Sequence, residues 1–215
     1  MQKKLKPVTY GLILLLIFSF LASGILITGF NPQIYKHAYN NNKEIAEFSG
    51  YDENTYLKEI DRLKVYLFNS RENDRLLSAV YSEDEVAHMV DVYYLFRLLR
   101  IINAICVLLS CTIIIRYRKN LAAIDISRRW YLFILIPLFL ILPVFINFDA
   151  FWIKFHKVLF RNDLWLMDPD VSLMINLLPI EVFYSISVGT IILYLVAIVI
   201  ICLIFRYYAR RENGI

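Results

Sequence analysis

Residues Phe183–Phe205 read FYSISVGTIILYLVAIVIICLIF and carry no charge. A bilayer core about 30 Å thick takes roughly 20 apolar residues as a helix, so this run is long enough to cross a membrane. Three more runs qualify on the N-terminal side: Trp130–Phe148, Leu95–Ile115 and Val8–Phe30. The Leu95–Ile115 run is the least clean, because Arg97 and Arg100 sit in its first turns. The 215 residues are 59% hydrophobic and 15% aromatic, and the 20% that are charged cluster between the runs. This is the composition of an integral membrane protein and excludes a soluble domain. The fold class read from it is an all-α integral membrane protein: a four-transmembrane-helix bundle with a small, mainly helical extracellular domain. One short β element is allowed for at Leu76–Tyr81.

The charges set the orientation, because cytoplasmic loops carry the excess of Lys and Arg. The N-terminal tail holds Lys3, Lys4 and Lys6, and the 116–129 loop holds Arg116, Arg118, Lys119, Arg128 and Arg129 against Asp125. The C-terminal tail holds Arg206, Arg210 and Arg211 against Glu212. Four spans put these three segments on one side, with both termini cytoplasmic. The 31–94 region, with 7 Lys/Arg and 12 Asp/Glu, and the 149–182 segment then face outward. The expected order is span 8–30, outer domain 31–94, span 95–115, inner loop 116–129, span 130–148, interfacial segment 149–182, span 183–205 and tail 206–215. The net charge of +4 is a topology signal, and no nucleic-acid partner is expected. The first run is too long for a signal-peptide core and has no clean cleavage site after it, so it reads as an uncleaved span. Cys106, Cys111 and Cys202 all fall inside spans, which leaves the outer parts free of disulfides.

The outer parts have local punctuation. Asn40-Asn41-Asn42 and Arg71-Glu72-Asn73-Asp74 read as turns. Tyr56, Leu57, Ile60, Leu63 and Leu67 recur at helical spacing, which predicts an amphipathic helix over 53–68. Ser82 and Glu85 have capping-box spacing. They open a helix that runs unbroken into the second span and holds His88 roughly 12 Å beyond its outer edge. Asp149 is placed to cap an interfacial helix with Phe151, Trp152, Phe155 and Leu159 on its apolar side and Lys154, Lys157 and Arg161 off it. A further helix is expected to start at Asp168, with Pro169 at its first position, and to end at Pro179 and Glu181.

His88 and His156 are the candidate chemical groups. Asp84 and Asp91 share a helix face with His88, and a carboxylate against an imidazole fixes its tautomer and raises its basicity. The same spacing also fits an ordinary histidine on a solvated face, and His156, among Phe155, Leu159 and Phe160, also fits a packed one. His37 has no partner pattern. Asp168 and Asp170 read first as helix-start residues and second as groups that orient a histidine. Arg97 and Arg100 run against the charge trend, and ionisable residues within a span are functional candidates. Snorkelling to lipid phosphate is the other reading. There is no G-x-S-x-G, H-E-x-x-H or Walker pattern, and no outer cysteine nucleophile. A zinc site at His88, His156 and an aspartate has no spacing motif behind it, so neither metal nor cofactor is expected.

Two stretches carry a resemblance. SEDEVAHMVDV (Ser82–Val92) resembles an E-x-x-H-M-x-D-V signature. FWIKFHKVLFRNDLWLMDPD (Phe151–Asp170), followed by LLPIEVF (Leu177–Phe183), resembles F-H-x-x-x-F-x-N-x-x-W-x-x-D-P. Both signatures belong to the lipoprotein intramolecular transacylases of low-GC Gram-positive bacteria. The resemblance implies a membrane acyltransferase that moves the sn-2 acyl chain of a diacylglyceryl-cysteine lipoprotein onto the cysteine α-amine. It further implies His156 and His88 as catalytic residues. Beside the resemblance, Asp91, Glu85, Asp168 and Asp170 are expected to support them, and Trp165, Arg97, Arg100, Phe155 and Arg161 are expected to contact the substrate. Diacylated lipoproteins and membrane lipid are the implied partners, and the extracellular face of the cell membrane is the implied site of action. The rival readings are a non-enzymatic envelope protein that binds lipid or a partner, and a metal-dependent lipid hydrolase.

Overall fold

In the computed structural model, residues 2–68, 77, 79–118, 124 and 126–212 are described. The chain is helical: α1 (Gln2–Gly29), α2 (Pro32–Asn41), α3 (Lys43–Ser49), α4 (Glu53–Phe68), α5 (Glu83–Arg116), α6 (Leu132–Ile146), α7 (Phe148–Leu159), α8 (Leu173–Leu177) and α9 (Ile180–Glu212). Helices α1, α5 and α9 contain segments long and apolar enough to cross a membrane.

The third apolar run forms a shorter helix than its length suggests. Trp130 and Tyr131 are spent on a turn that follows the 3-10 segment Ser127–Arg129, and Asn147 stops the helix at Ile146. The 15 residues that remain cover roughly 22 Å at 1.5 Å per residue. Pro137 and Pro143 lie inside this helix, and each removes a backbone donor from it.

The short β element does not form among the described residues. Leu77 is helical, and Ala79 and Val80 make a turn closed by the Tyr81 and Val80 N–H groups on the Leu77 carbonyl. From this turn Leu77 and Tyr81 are buried, while Ala79 and Val80 are exposed. Two capping expectations also change. Asn147, not Asp149, caps α7, accepting the Ala150 N–H at 2.9 Å. Ser172, not Asp168, caps α8 through the Ile175 N–H. Asp168 instead accepts the Asp170 N–H at 3.0 Å, a local Asx turn that competes with helix initiation. The helix over 53–68 and the unbroken helix from Glu83 form as the periodicity and the capping box predict. The turn read at Arg71-Glu72-Asn73-Asp74 lies outside the described residues, as do Lys119 and Asp125.

Two compact units are built around separate cores. One comprises Met1–Leu26, Arg100–Ile146 and Val188–Ile215. It buries Leu12, Ile13, Leu16 and Ile17 of α1 with Phe133 of α6 and Tyr194, Ile198 and Phe205 of α9. Gly24 lets α1 approach α9 closely, since a Cβ there would lie 2.9 Å from Thr190 Cγ2. The other unit comprises Ile27–Leu99 and Asn147–Ser187. In it α2 packs on α4 and α3 on α8, around Tyr35, Ile45, Tyr56, Ile60, Met89, Met174 and Leu177. Buried Glu59 accepts the Tyr81 hydroxyl at 2.8 Å and pairs with Arg62 at 3.3 Å. This second unit contains both candidate histidines.

Candidate active site

His88 projects from the second turn of α5 and His156 from the last turn of α7. Both are buried, 8% and 6% exposed, and their ring centroids lie 6.1 Å apart. Phe160 touches both rings, at 5.1 Å from His88 and 5.5 Å from His156. Trp165 stacks on His156 at 5.0 Å, and Trp152 meets it edge-on at 4.4 Å. Phe155 lies 5.5 Å from His156 and stacks on Trp152. The two imidazoles therefore sit in one aromatic enclosure.

The backbone fixes the tautomer of His156. Its Nδ1 lies 2.8 Å from the Trp152 carbonyl oxygen, four residues earlier on the same helix. A carbonyl can only accept, so Nδ1 carries the proton and neutral His156 keeps its lone pair on Nε2. His88 Nδ1 is buried and has no partner among the described residues. A buried polar atom left unpaired costs roughly 1–3 kcal/mol, so one that persists marks a place where a ligand atom or water can bind.

Both histidines lie outside the 95–115 apolar run. Burial pushes the His88 pKa down to about 4, helped by neighbouring His156 and opposed by Asp91. Burial also lowers His156, against the stabilising Trp152 carbonyl. Both rings are neutral at pH 7. Each can accept a proton and neither repels a cation.

The supporting residues separate into groups. Asp91 accepts the Asn162 side-chain N–H at 2.8 Å. Asp84 is exposed at the solvent side of α5. Glu85, 4% exposed, accepts from the Ser82 N–H at 2.7 Å, the Ser172 hydroxyl at 2.5 Å and the Met174 N–H at 2.8 Å. Burial disfavours its charge, but these hydrogen bonds outweigh burial and hold its carboxyl below the usual range. Asp168 and Asp170 are exposed in the turn before α8. Arg161 is exposed. Arg97 is exposed nine residues along α5 from His88, about 13 Å away and half a turn round the helix. Arg100 belongs to the other unit.

Ser172 does not stand out in the sequence: it looks like an ordinary cap residue, and its tertiary partner is 87 positions away. Asn162 and Phe160 are fixed positions of the second signature, but the signature does not show that Asn162 reaches Asp91, 71 positions away, or that the Phe160 ring contacts both histidines.

Among the described residues, helical structure with three apolar helices of spanning length defines a membrane-integral protein, and its second unit holds two buried imidazoles in one aromatic enclosure. The sequence model of lipoprotein intramolecular transacylase Lit matches residues 10–184. The chain belongs to that family and is an acyltransferase. No curated protein matches it. The structure resembles the in meso structure of the membrane-integral lipoprotein intramolecular transacylase Lit from Bacillus cereus, at 21% identity and TM-score 0.81 over 100% of this chain and 99% of that one. A histidine-to-arginine variant of the B. cereus protein gives TM-score 0.76 over 97% and 93% of the two chains, at 21% identity. A histidine-to-alanine variant gives 0.77 over 98% and 96%, again at 21% identity. At this identity the likeness concerns the fold.

Proposed function

We propose that the chain moves the sn-2 acyl chain of a diacylglyceryl-cysteine lipoprotein onto the α-amine of the same cysteine, leaving a lyso-form lipoprotein. The frame is four-spanning, with α6 as its short member, both termini cytoplasmic and the site open to the outer leaflet of the bacterial membrane. The observation that carries this reading is the pair of neutral imidazoles. His156 is locked with Nε2 as its acceptor, and His88 stands beside it with an unpartnered Nδ1.

The cysteine α-ammonium titrates near ~7.7–8.0. His156 Nε2 takes one of its protons. The freed amine attacks the ester carbonyl carbon, and the carbonyl oxygen becomes an oxyanion. A protonated imidazole, His88 or His156, stabilises that charge by hydrogen bonding. The bond from the acyl carbon to the glycerol oxygen then breaks, the imidazolium returns its proton to that oxygen, and the second proton shed by the attacking nitrogen passes through the other imidazole to water. Amide and free hydroxyl are the products, and no acyl-enzyme is needed. Amine and ester belong to one molecule, so the site's main task is to fold the substrate, an effect that supplies roughly 7–11 kcal/mol. Trp152, Phe155, Phe160 and Trp165 offer the apolar surface for that fold, and Asp91 and Glu85 hold the His88 helix. Arg97 and Arg161 are exposed and available to lipid headgroups.

The test is mass spectrometry of a lipoprotein from cells that carry the wild-type chain or His156→Ala. The wild type converts the diacyl form to the lyso form, and the variant does not. Undiminished lyso product with His156→Ala would overturn the role of that residue. No acyl shift with the wild type would overturn the reaction.

A further inference from the structure

Asn162 occupies a junction. Its side-chain N–H donates to Asp91 Oδ2 on the His88 helix at 2.8 Å. Its Oδ1 accepts the Leu164 N–H at 3.3 Å, which closes the turn that follows. Its carbonyl accepts the Trp165 indole N–H at 3.0 Å. That indole is the ring stacked on His156. Phe160, two residues before Asn162, is the ring shared by the two histidines. The segment between α7 and α8 is thus tied to the His88 helix at this side chain, and Trp165 hangs from the same residue.

We infer that Asn162 is a positioning residue that latches the 160–166 segment to Asp91 and so sets the Trp165 indole against His156. The inference rests on the acyl-transfer reading of the site. Aspartate can only accept and the amide can donate, so the bond has one polarity and is charge-assisted. Asn162→Asp sets two carboxylates against each other and opens the latch. Asp91→Asn leaves it closed, because an asparagine oxygen at 91 still accepts from Asn162. In the double variant the asparagine at 91 donates to the aspartate at 162, and the Leu164 N–H keeps its acceptor.

The test is therefore a double-mutant cycle on the full-length chain with a synthetic diacylated lipopeptide, reading acyl shift by mass spectrometry. N162D lowers turnover about tenfold when residue 91 is Asp, and changes it less than about twofold when residue 91 is Asn. An equal loss in both backgrounds, or no loss in either, overturns the latch. A second readout is the emission of Trp165 in a chain carrying W130F and W152F, which needs no catalysis. N162D shifts that emission to the red in the Asp91 background alone, and an unshifted spectrum overturns the latch. If N162D does not fold, Asn162→Ala, which deletes the bond without adding charge, replaces it in the Asp91 background alone: a loss of turnover with a red-shifted Trp165 emission is expected, and an unchanged turnover or an unshifted spectrum overturns the latch. A wild-type chain that fails to shift acyl groups refutes the reaction, while the emission cycle still decides the latch.

Discussion

Replacing Glu85 by Ala should release the start of α8. The carboxylate accepts three hydrogen bonds, and losing it affects the three donors unequally. Ser82 is exposed, so water takes over its N–H. The Ser172 hydroxyl is buried but can turn to Met167 Sδ at 3.5 Å, a weaker acceptor. The Met174 N–H, the second residue of α8, bonds to Glu85 Oε1, and no α8 residue lies far enough before it to replace that acceptor. A buried donor left unpaired costs roughly 1–3 kcal/mol. Adding a weakened serine bond puts the total near 2–4 kcal/mol, equivalent to roughly 30- to 700-fold in an opening equilibrium at 1.4 kcal/mol per decade. Hydrogen–deuterium exchange of the α8 peptide, with the protein in micelles, reads this change directly. The expected result is faster exchange by at least tenfold in α8, with α4 unchanged. The pH dependence has a definite sign. The folded carboxyl is held below its usual value near 4.5, so its contribution is full above that value and is lost as pH falls through the lower folded pKa. Exchange of α8 should therefore accelerate in acid in the wild type and lose that dependence in Glu85→Ala. Unchanged α8 protection in the variant would refute the account of Glu85 as the tie between α5 and α8.

Two further outcomes follow from burial and close packing. His88 titrates in the unfolded chain near 6.5 and in the folded chain near 4. Stability should therefore be independent of this group above about pH 6.5 and decline as pH falls toward about 4, by about 3 kcal/mol at most. Tm measured against pH should show that slope, and His88→Gln should flatten it. Gly24→Ala places a Cβ 2.9 Å from Thr190 Cγ2, 3.2 Å from its carbonyl oxygen and 3.3 Å from its Cα. It should cost about 1–3 kcal/mol by thermal denaturation in detergent, and Thr190→Ser should restore only part because the backbone atoms remain.

The sequence carried information over short range and lost it over long range. The Ser82–Glu85 spacing was enough to start α5 at Glu83, and the i, i+3, i+4 pattern was enough to place α4, because both depend on neighbours within a turn. The tertiary half of Glu85's role could not be read, since Ser172 and Met174 lie 87 and 89 positions further along the chain. The same holds for Asp91 and Asn162. The misplaced helix start at Asp168 has a local cause. The D-P-D pattern fits a helix N-terminus and an Asx turn equally, and Ser172, four residues on, supplied the cap that decided between them. The pattern around His88 also named Asp84 and Asp91 alike, although only Asp91 acts electrostatically on the ring. Helical periodicity gives a residue's face but not the segment that later covers it.

A base whose pKa burial has lowered looks unsuited to an amine that titrates near ~7.7–8.0, and on the proposed reaction that mismatch has a use. In the empty site burial keeps both imidazoles neutral, so the α-ammonium enters without repulsion from a charged ring. Proton transfer to His156 is uphill at that stage. Attack then creates an oxyanion beside the pair, and in a site of low polarity an adjacent negative charge strongly favours imidazolium. The histidines gain basicity as the transition state forms, so the stabilisation falls on the transition state more than on the bound substrate, which is what accelerates a chemical step. When the glycerol oxygen leaves and takes its proton, the charge disappears and burial returns the ring to neutrality. This account requires the enclosure to stay dry. Opening it, by exchanging Trp165 for a small polar residue, should raise the basicity of the free histidines and slow the reaction together. A more basic pair with undiminished turnover would show that burial has no part in the catalysis.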